Sequence, residues 1–163
     1  PGRTYGDLKK VCQQYDTYFR DPGEEQFDLV VASAGGYPKD INFIQAHKSI
    51  HNAASFVKNG GKLIIFAECS DGLGNREFMD MFKWGGKKQI FAQMEHHYRN
   101  NAGTAISMLE KSERIHIQMH TSLSEEQCKL MGAVRCSIAE VQREIDRETG
   151  NMAIMENAGL LYR

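Results

Sequence analysis

Phe27-Asp-Leu-Val-Val-Ala-Ser33, then Ala34-Gly-Gly-Tyr-Pro-Lys39 and Asp40, carries the clearest strand-turn-helix signal in the chain. Its first seven residues are short, apolar and rich in Val, the composition of a strand buried on both faces of a parallel sheet. Two glycines and a proline break the strand. Asp40 is then placed to cap a helix from about Ile41 to Val57. Phe43, Ala46, Ile50, Ala53 and Val57 form its apolar stripe at helical spacing. Asn59-Gly-Gly61 predicts the end of that helix. Lys62-Leu-Ile-Ile-Phe-Ala67 reads as a second buried strand, opening into the loop Glu68-Cys-Ser-Asp-Gly-Leu-Gly74.

Outward from this unit the alternation continues. Leu8, Val11, Cys12, Tyr15 and Phe19 mark an amphipathic helix over Tyr5 to Phe19, broken by Arg20-Asp-Pro-Gly23. Helices are expected over Arg76 to Phe82, Lys87 to Tyr98 and Thr104 to Lys111, with a strand over Arg114 to Met119. Ser124 and Gln127 form a capping box before a helix to Met131. Ala133 to Cys136 reads as a brief strand, Ser137 caps a helix to about Thr149, and Asn151 to Met155 is a last strand. Strands alternating with helices predict an α/β fold: one layered Rossmann-like domain over residues 1–163, with a mainly parallel sheet of about five strands and helices on both faces.

The composition fits that class. Apolar residues make up 41% of the 163 and charged residues 25%, enough for a packed core. A net charge of -1 offers no basic face for nucleic acid or for an anionic membrane surface. No apolar run approaches the roughly 18 residues of a membrane span, and no signal peptide is visible. Cys12, Cys69, Cys128 and Cys136 show neither zinc-site nor disulfide-framework spacing, so a reduced, cytoplasmic compartment is expected. The chain opens at Pro1, as expected of an excerpt from a longer protein.

In a parallel sheet the strand C-termini share one edge, and ligands bind in the loops there. Two loops stand out, Ser33 to Asp40 and Glu68 to Gly74. Gly35 and Gly36 allow a sharp turn and close approach of a ligand. The helix they lead into is expected to aim free N–H groups and its positive end at the crevice, where a carboxylate or phosphate is stabilised. The same glycines also suit a plain strand-to-helix turn, and the pattern is neither GxGxxG nor a P-loop. Gln45 and Lys48, three apart, are neighbours on the helix and lie off its apolar stripe. They form either a clamp for a small acid or a solvated face.

Other candidates carry less. Glu68 and Asp71 read as caps of the following helix, or one of them as a base or as a group that orients Lys48. His47 and His51 have ligand spacing on a helix, but without a third ligand no metal is assigned. Cys69 reads as packing rather than as a nucleophile, His96 and His97 as polar groups pointing into solvent, and Trp84 before Gly85-Gly86 as a turn anchor.

Asp28-Leu-Val-Val-Ala-Ser-Ala-Gly-Gly-Tyr-Pro-Lys-Asp-Ile-Asn42, then Gln45, Lys48, Gly60-Gly61, Ala67-Glu-Cys69, Gly72 and Gly74, closely resembles the C-terminal domain of nickel-dependent lactate racemases. The resemblance implies half of a two-domain isomerase with an active site between its domains. It implies a nickel pincer nucleotide, held mainly by an N-terminal domain that also carries the acid/base histidines. The implied reaction racemises or epimerises a 2-hydroxy acid by hydride transfer to that cofactor. Lys48 and Gln45 are then the residues lent to catalysis, with Gly35, Gly36, Tyr37 and Glu68 against the substrate. No residue of this chain is assigned to the cofactor, and the domain alone is expected to be inactive. Asn100-Asn-Ala-Gly-Thr104 lacks the aromatic or His that family members can carry there, which widens the substrate from lactate to other 2-hydroxy acids. The alternative is a Rossmann-like module that binds a small anion or nucleotide without chemistry.

Overall fold

A computed structural model describes residues 2–163. Five strands, β1 (Phe27–Ser33), β2 (Val57–Phe66), β3 (His116–His120), β4 (Ala133–Arg135) and β5 (Met152–Met155), form one sheet in the order β4-β3-β2-β1-β5. Every pairing is parallel. The apolar run Leu29 to Ala32 therefore becomes a central strand, with β2 on one side and β5 on the other.

Among the described residues seven helices connect or flank the strands: α1 (Tyr5–Phe19), α2 (Phe43–Ala54), α3 (Phe78–Lys83), α4 (Lys87–His96), α5 (Ala102–Arg114), α6 (Glu125–Leu130) and α7 (Ile138–Arg147). Strand alternation divides the core. Val30, Ala32, Leu63, Ile65, Ile117 and Met119 face the larger cluster, which includes Phe43 and Ile50 of α2, Phe78 of α3 and Met108 of α5. Leu29, Val31 and Ile64 face the other way, onto Val141 and Ile145 of α7. Phe43 and Phe78 meet at 5.5 Å between ring centroids, joining α2 to α3.

Four expectations are corrected. The second helix runs over Phe43–Ala54 and ends before Asn59-Gly-Gly61, which lie inside β2 instead. Its N-cap is Asn42, whose side chain accepts from the Gln45 N–H at 3.1 Å, and not Asp40. Asp40 is buried one turn earlier and ties two loops together. The fourth strand stops at Arg135, and α7 at Arg147. The capping boxes at Ser124 and Ser137 form, as does α1 over its expected range.

Candidate functional site

Because β1 and β2 are neighbours, their following loops meet at the carboxyl edge of the sheet. They pack on each other. The Asp40 carboxylate accepts from the Glu68 N–H at 3.0 Å, and the Asp40 carbonyl accepts from the Cys69 N–H at 2.9 Å. The Asp71 N–H donates to the Ile41 carbonyl at 2.8 Å. Above them, the carbonyls of Gly72 and Leu73 accept from the Phe43 and Ile44 N–H groups at 2.9 and 3.4 Å. With Asn42 holding the Gln45 N–H, the first amides of α2 are satisfied by protein groups. The anion cradle expected at the start of α2 is thus filled by the second loop.

The strand order reverses between β1 and β5, the place where sheets of this class open a crevice. Here the chain after β5 fills it. The Ala158 N–H donates to the Ser33 carbonyl at 2.9 Å, and Asn157 lies against Gly35. A Cβ on Gly35 would stand 2.7 Å from Asn157 Oδ1, and φ there is +91°, so both space and backbone demand glycine. Gly36 and Tyr37 stay on the outside, Tyr37 80% exposed. The Glu68 carboxylate accepts from the Ser122 hydroxyl, which anchors it to the loop after β3.

Gln45 and Lys48 are brought together. Both are exposed on α2, and Lys48 Nζ donates to Gln45 Oε1 at 2.7 Å. Lys48 borders a groove of about 340 Å³ between α2 and α5, lined from α2 by His47, Lys48 and His51 and from α5 by Gly103, Thr104 and Ser107. The Gly35–Lys39 turn does not line this groove. The ammonium, imidazoles and hydroxyls that do line it are donors suited to an anionic or carbonyl oxygen.

Two groups beside the groove were not singled out from the sequence as site residues. His47 is 7% exposed and its Nε2 has no hydrogen-bond partner. Burial, helped by the charges of Lys111 and His51, pushes its imidazole down to about 3, so it is neutral. Lys111, buried on α5, donates to the carbonyl and hydroxyl of Ser107. Burial pushes its ammonium down to about 8, against the opposing pull of Glu110. Lys111 extends the Ala102, Ala105, Met108 stripe by one more step of three, a signal that was available in the sequence. Cys69 is buried in the second loop at φ 54°, and burial pushes its thiol up to about 11, far from a thiolate at neutral pH.

A model of the lactate racemase C-terminal domain family matches residues 23–129. The chain belongs to that family. The match runs from before β1 into α6, including both loops and the Gln45–Lys48 pair. Over 56 residues the chain is 45% identical to the lactate racemase of Thermoanaerobacterium thermosaccharolyticum, a stretch that is 34% of this chain and 13% of that enzyme. The solved apoprotein of the lactate racemase from that organism superposes on 98% of this chain with a TM-score of 0.81 at 21% identity. A protein structure from Thermotoga maritima covers 95% of the chain with a TM-score of 0.62 at 12% identity. The chain spans 40% and 41% of the lengths of those two solved chains. The family resembled by the Asp28 to Gly74 stretch is confirmed, and the α/β sheet expected to be mainly parallel proves parallel at every pairing.

Proposed function

We propose that this chain is the substrate-holding half of a 2-hydroxy acid racemase or epimerase, lending Lys48 and Gln45 to an interdomain site. The observation that carries the reading is the 2.7 Å hydrogen bond joining the two side chains on the exposed face of α2. The bond holds the ammonium at the groove edge, leaving two of its donors for a substrate carboxylate or hydroxyl oxygen. The protein's own contribution is then to bind and orient the acid, and to stabilise oxygen charge as it develops. Family membership supports the reaction class.

Among the described residues no three His, Cys, Asp or Glu side chains converge to hold a metal. The donors beside Lys48 are ammonium, imidazole and hydroxyl groups, without a thiolate. This chain's residues therefore do not fit a nickel pincer nucleotide, and we assign that group, and the hydride exchange it supplies in such enzymes, to the N-terminal domain of a longer protein. Residues 1–163 alone are then one inactive domain. We assign Gly35 to shaping the turn, and Gly36, Tyr37 and Glu68 to the rim that faces the partner domain. Among the described residues no helix is long and apolar enough to cross a membrane. The four free cysteines support a reducing, cytoplasmic setting.

The test is racemisation of 2-hydroxy acids by the full-length, cofactor-loaded protein. Lys48→Ala should lower kcat/KM by ~100-fold or more, since it removes a charge from the reacting oxygens, and Gln45→Ala by less. Wild-type turnover that is unchanged by Lys48→Ala removes Lys48 from the site. Small-anion binding without any turnover favours the binding-module alternative.

A further inference from the structure

Each of α2 to α7 buries at least one side chain, whereas α1 buries none. Its contacts with the chain after β5 lie in its last two turns. The Tyr15 hydroxyl donates to the Leu160 carbonyl at 3.3 Å, the Tyr162 N–H donates to the Phe19 carbonyl at 3.1 Å, and the Tyr15 and Tyr162 rings stack at 5.9 Å. Before that point Tyr5, Leu8, Val11 and Cys12 stand exposed, Leu8 and Val11 each at 59%. A 15-residue helix that holds a glycine and three tyrosines is marginal in water without a packed face.

The apolar face is ordered. Tyr5, Leu8, Cys12, Tyr15 and Phe19 follow steps of three, four, three and four, the seam of two heptads that a second helix fills. Tyr15 and Phe19 close the last part of this seam on Tyr162, and the part from Tyr5 to Cys12 lies in the open. Length and connectivity choose the occupant. Self-sufficient coiled coils sustain their seam over at least about three heptads, so two copies of α1 give each other too little contact. A partner within the same polypeptide gains from high effective concentration. The solved lactate racemase has room for one: 98% of this chain matches 40% of that one, and the matched family is one of C-terminal domains. The direction of α1 agrees. The bridge between Arg20 and Tyr162 is parallel, and the tail leads back from Tyr162 to Ala158, which meets Ser33 at the carboxyl end of β1. Followed back from Phe19, α1 leads toward the same edge, where Gly36, Tyr37 and Glu68 stand.

We propose that the Tyr5, Leu8 and Cys12 seam of α1 packs against an apolar helix face of the N-terminal domain, a docking surface separate from the Lys48 groove. The inference rests on the two-domain reading above, and its test is separable from it.

Cys12 is the one exposed cysteine of the four and lies in the middle of the seam, so it reports on the contact. Native full-length protein is treated with a maleimide, and modification of the Cys12 peptide is followed by mass spectrometry. Modification should be at least tenfold slower than in urea-unfolded protein at the same pH. Leu8→Glu should raise the native rate at least tenfold, and Lys10→Glu, on the opposite side of the helix, should leave it unchanged. Tyr5→Glu serves as the second variant where Leu8→Glu does not fold. Native labelling of Cys12 at the unfolded rate overturns the docking surface, as does protection that both seam variants leave intact. Protection that fades on dilution also overturns it, because the occupant is then a second copy. Cys12 protected in a protein that racemises no 2-hydroxy acid overturns the racemase reading and leaves the docking surface. Racemisation with Cys12 freely labelled does the reverse.

Discussion

His47 and Asp40 show how one side chain's surroundings decide its work. A His four residues before another suggests a ligand pair, yet His47 is buried on α2 and kept neutral. The sign of its effect on stability follows. The unfolded imidazole takes up a proton near pH 6.5, while the folded one resists until about 3. Stability falls as pH drops through that window, by up to ~1.4 kcal/mol per pH unit from this residue. His47→Leu should flatten that acid limb, read by urea unfolding at pH 7.5 and 4.5. Lys111 acts in a separate window. Between about 8 and its ordinary 10.5 the folded ammonium has released its proton while the unfolded one retains it, so stability rises with pH there. Lys111→Met should remove that rise. Asp40 tests the loop clamp: Asp40→Ala leaves the Glu68 N–H without its partner and should cost ~1–3 kcal/mol.

At the scale of elements, the start of α2 is the part that the rest of the molecule completes. Gly74, at φ 82°, lies so close to the cap that a Cβ would stand 2.5 Å from Asn42 Cγ. Gly74→Ala should therefore both strain the backbone and displace the cap, costing more than the ~1 kcal/mol expected of Asn42→Ala alone. Thermal unfolding of the two variants and their combination checks this. The combination should cost less than the sum, since each disturbs the same hydrogen bond to Gln45. This element also corrects the simplest inference from the glycine-rich turn. A turn followed by a helix offers amides to a ligand only if nothing else reaches them, and here Gly72 and Leu73 do. Side-chain caps are missing instead at the starts of α4 and α5, the latter in Asn100-Asn-Ala-Gly-Thr104.

At the scale of the molecule, the two faces of the sheet are unequally covered. One carries the large cluster beneath α2 to α6, the other a small one beneath α7. Ile65 and Ile64 are adjacent on β2 and both fully buried, but they belong to different clusters. Each truncation to Ala should cost ~2–5 kcal/mol. Ile154→Ala, on an edge strand and 68% exposed, should change stability by less than ~1 kcal/mol, as measured by denaturant unfolding.

Local pattern along the chain suffices for the class of the fold, because strand and helix periodicity and capping are local: Leu29 to Ala32, the Ser124 and Ser137 caps and the length of α1 need no distant partner to be recognised. It also determined the family, and that Gln45 and Lys48 share one face of a helix, since three residues along a helix fix their neighbourhood. Only packing settles which helix starts remain uncapped, that Asp40 serves as a clamp and not a cap, and that His47 and Lys111 lie buried near each other. Each of those outcomes depends on hydrogen-bond partners or burial supplied by residues far along the chain, and no local pattern encodes what will pack against it.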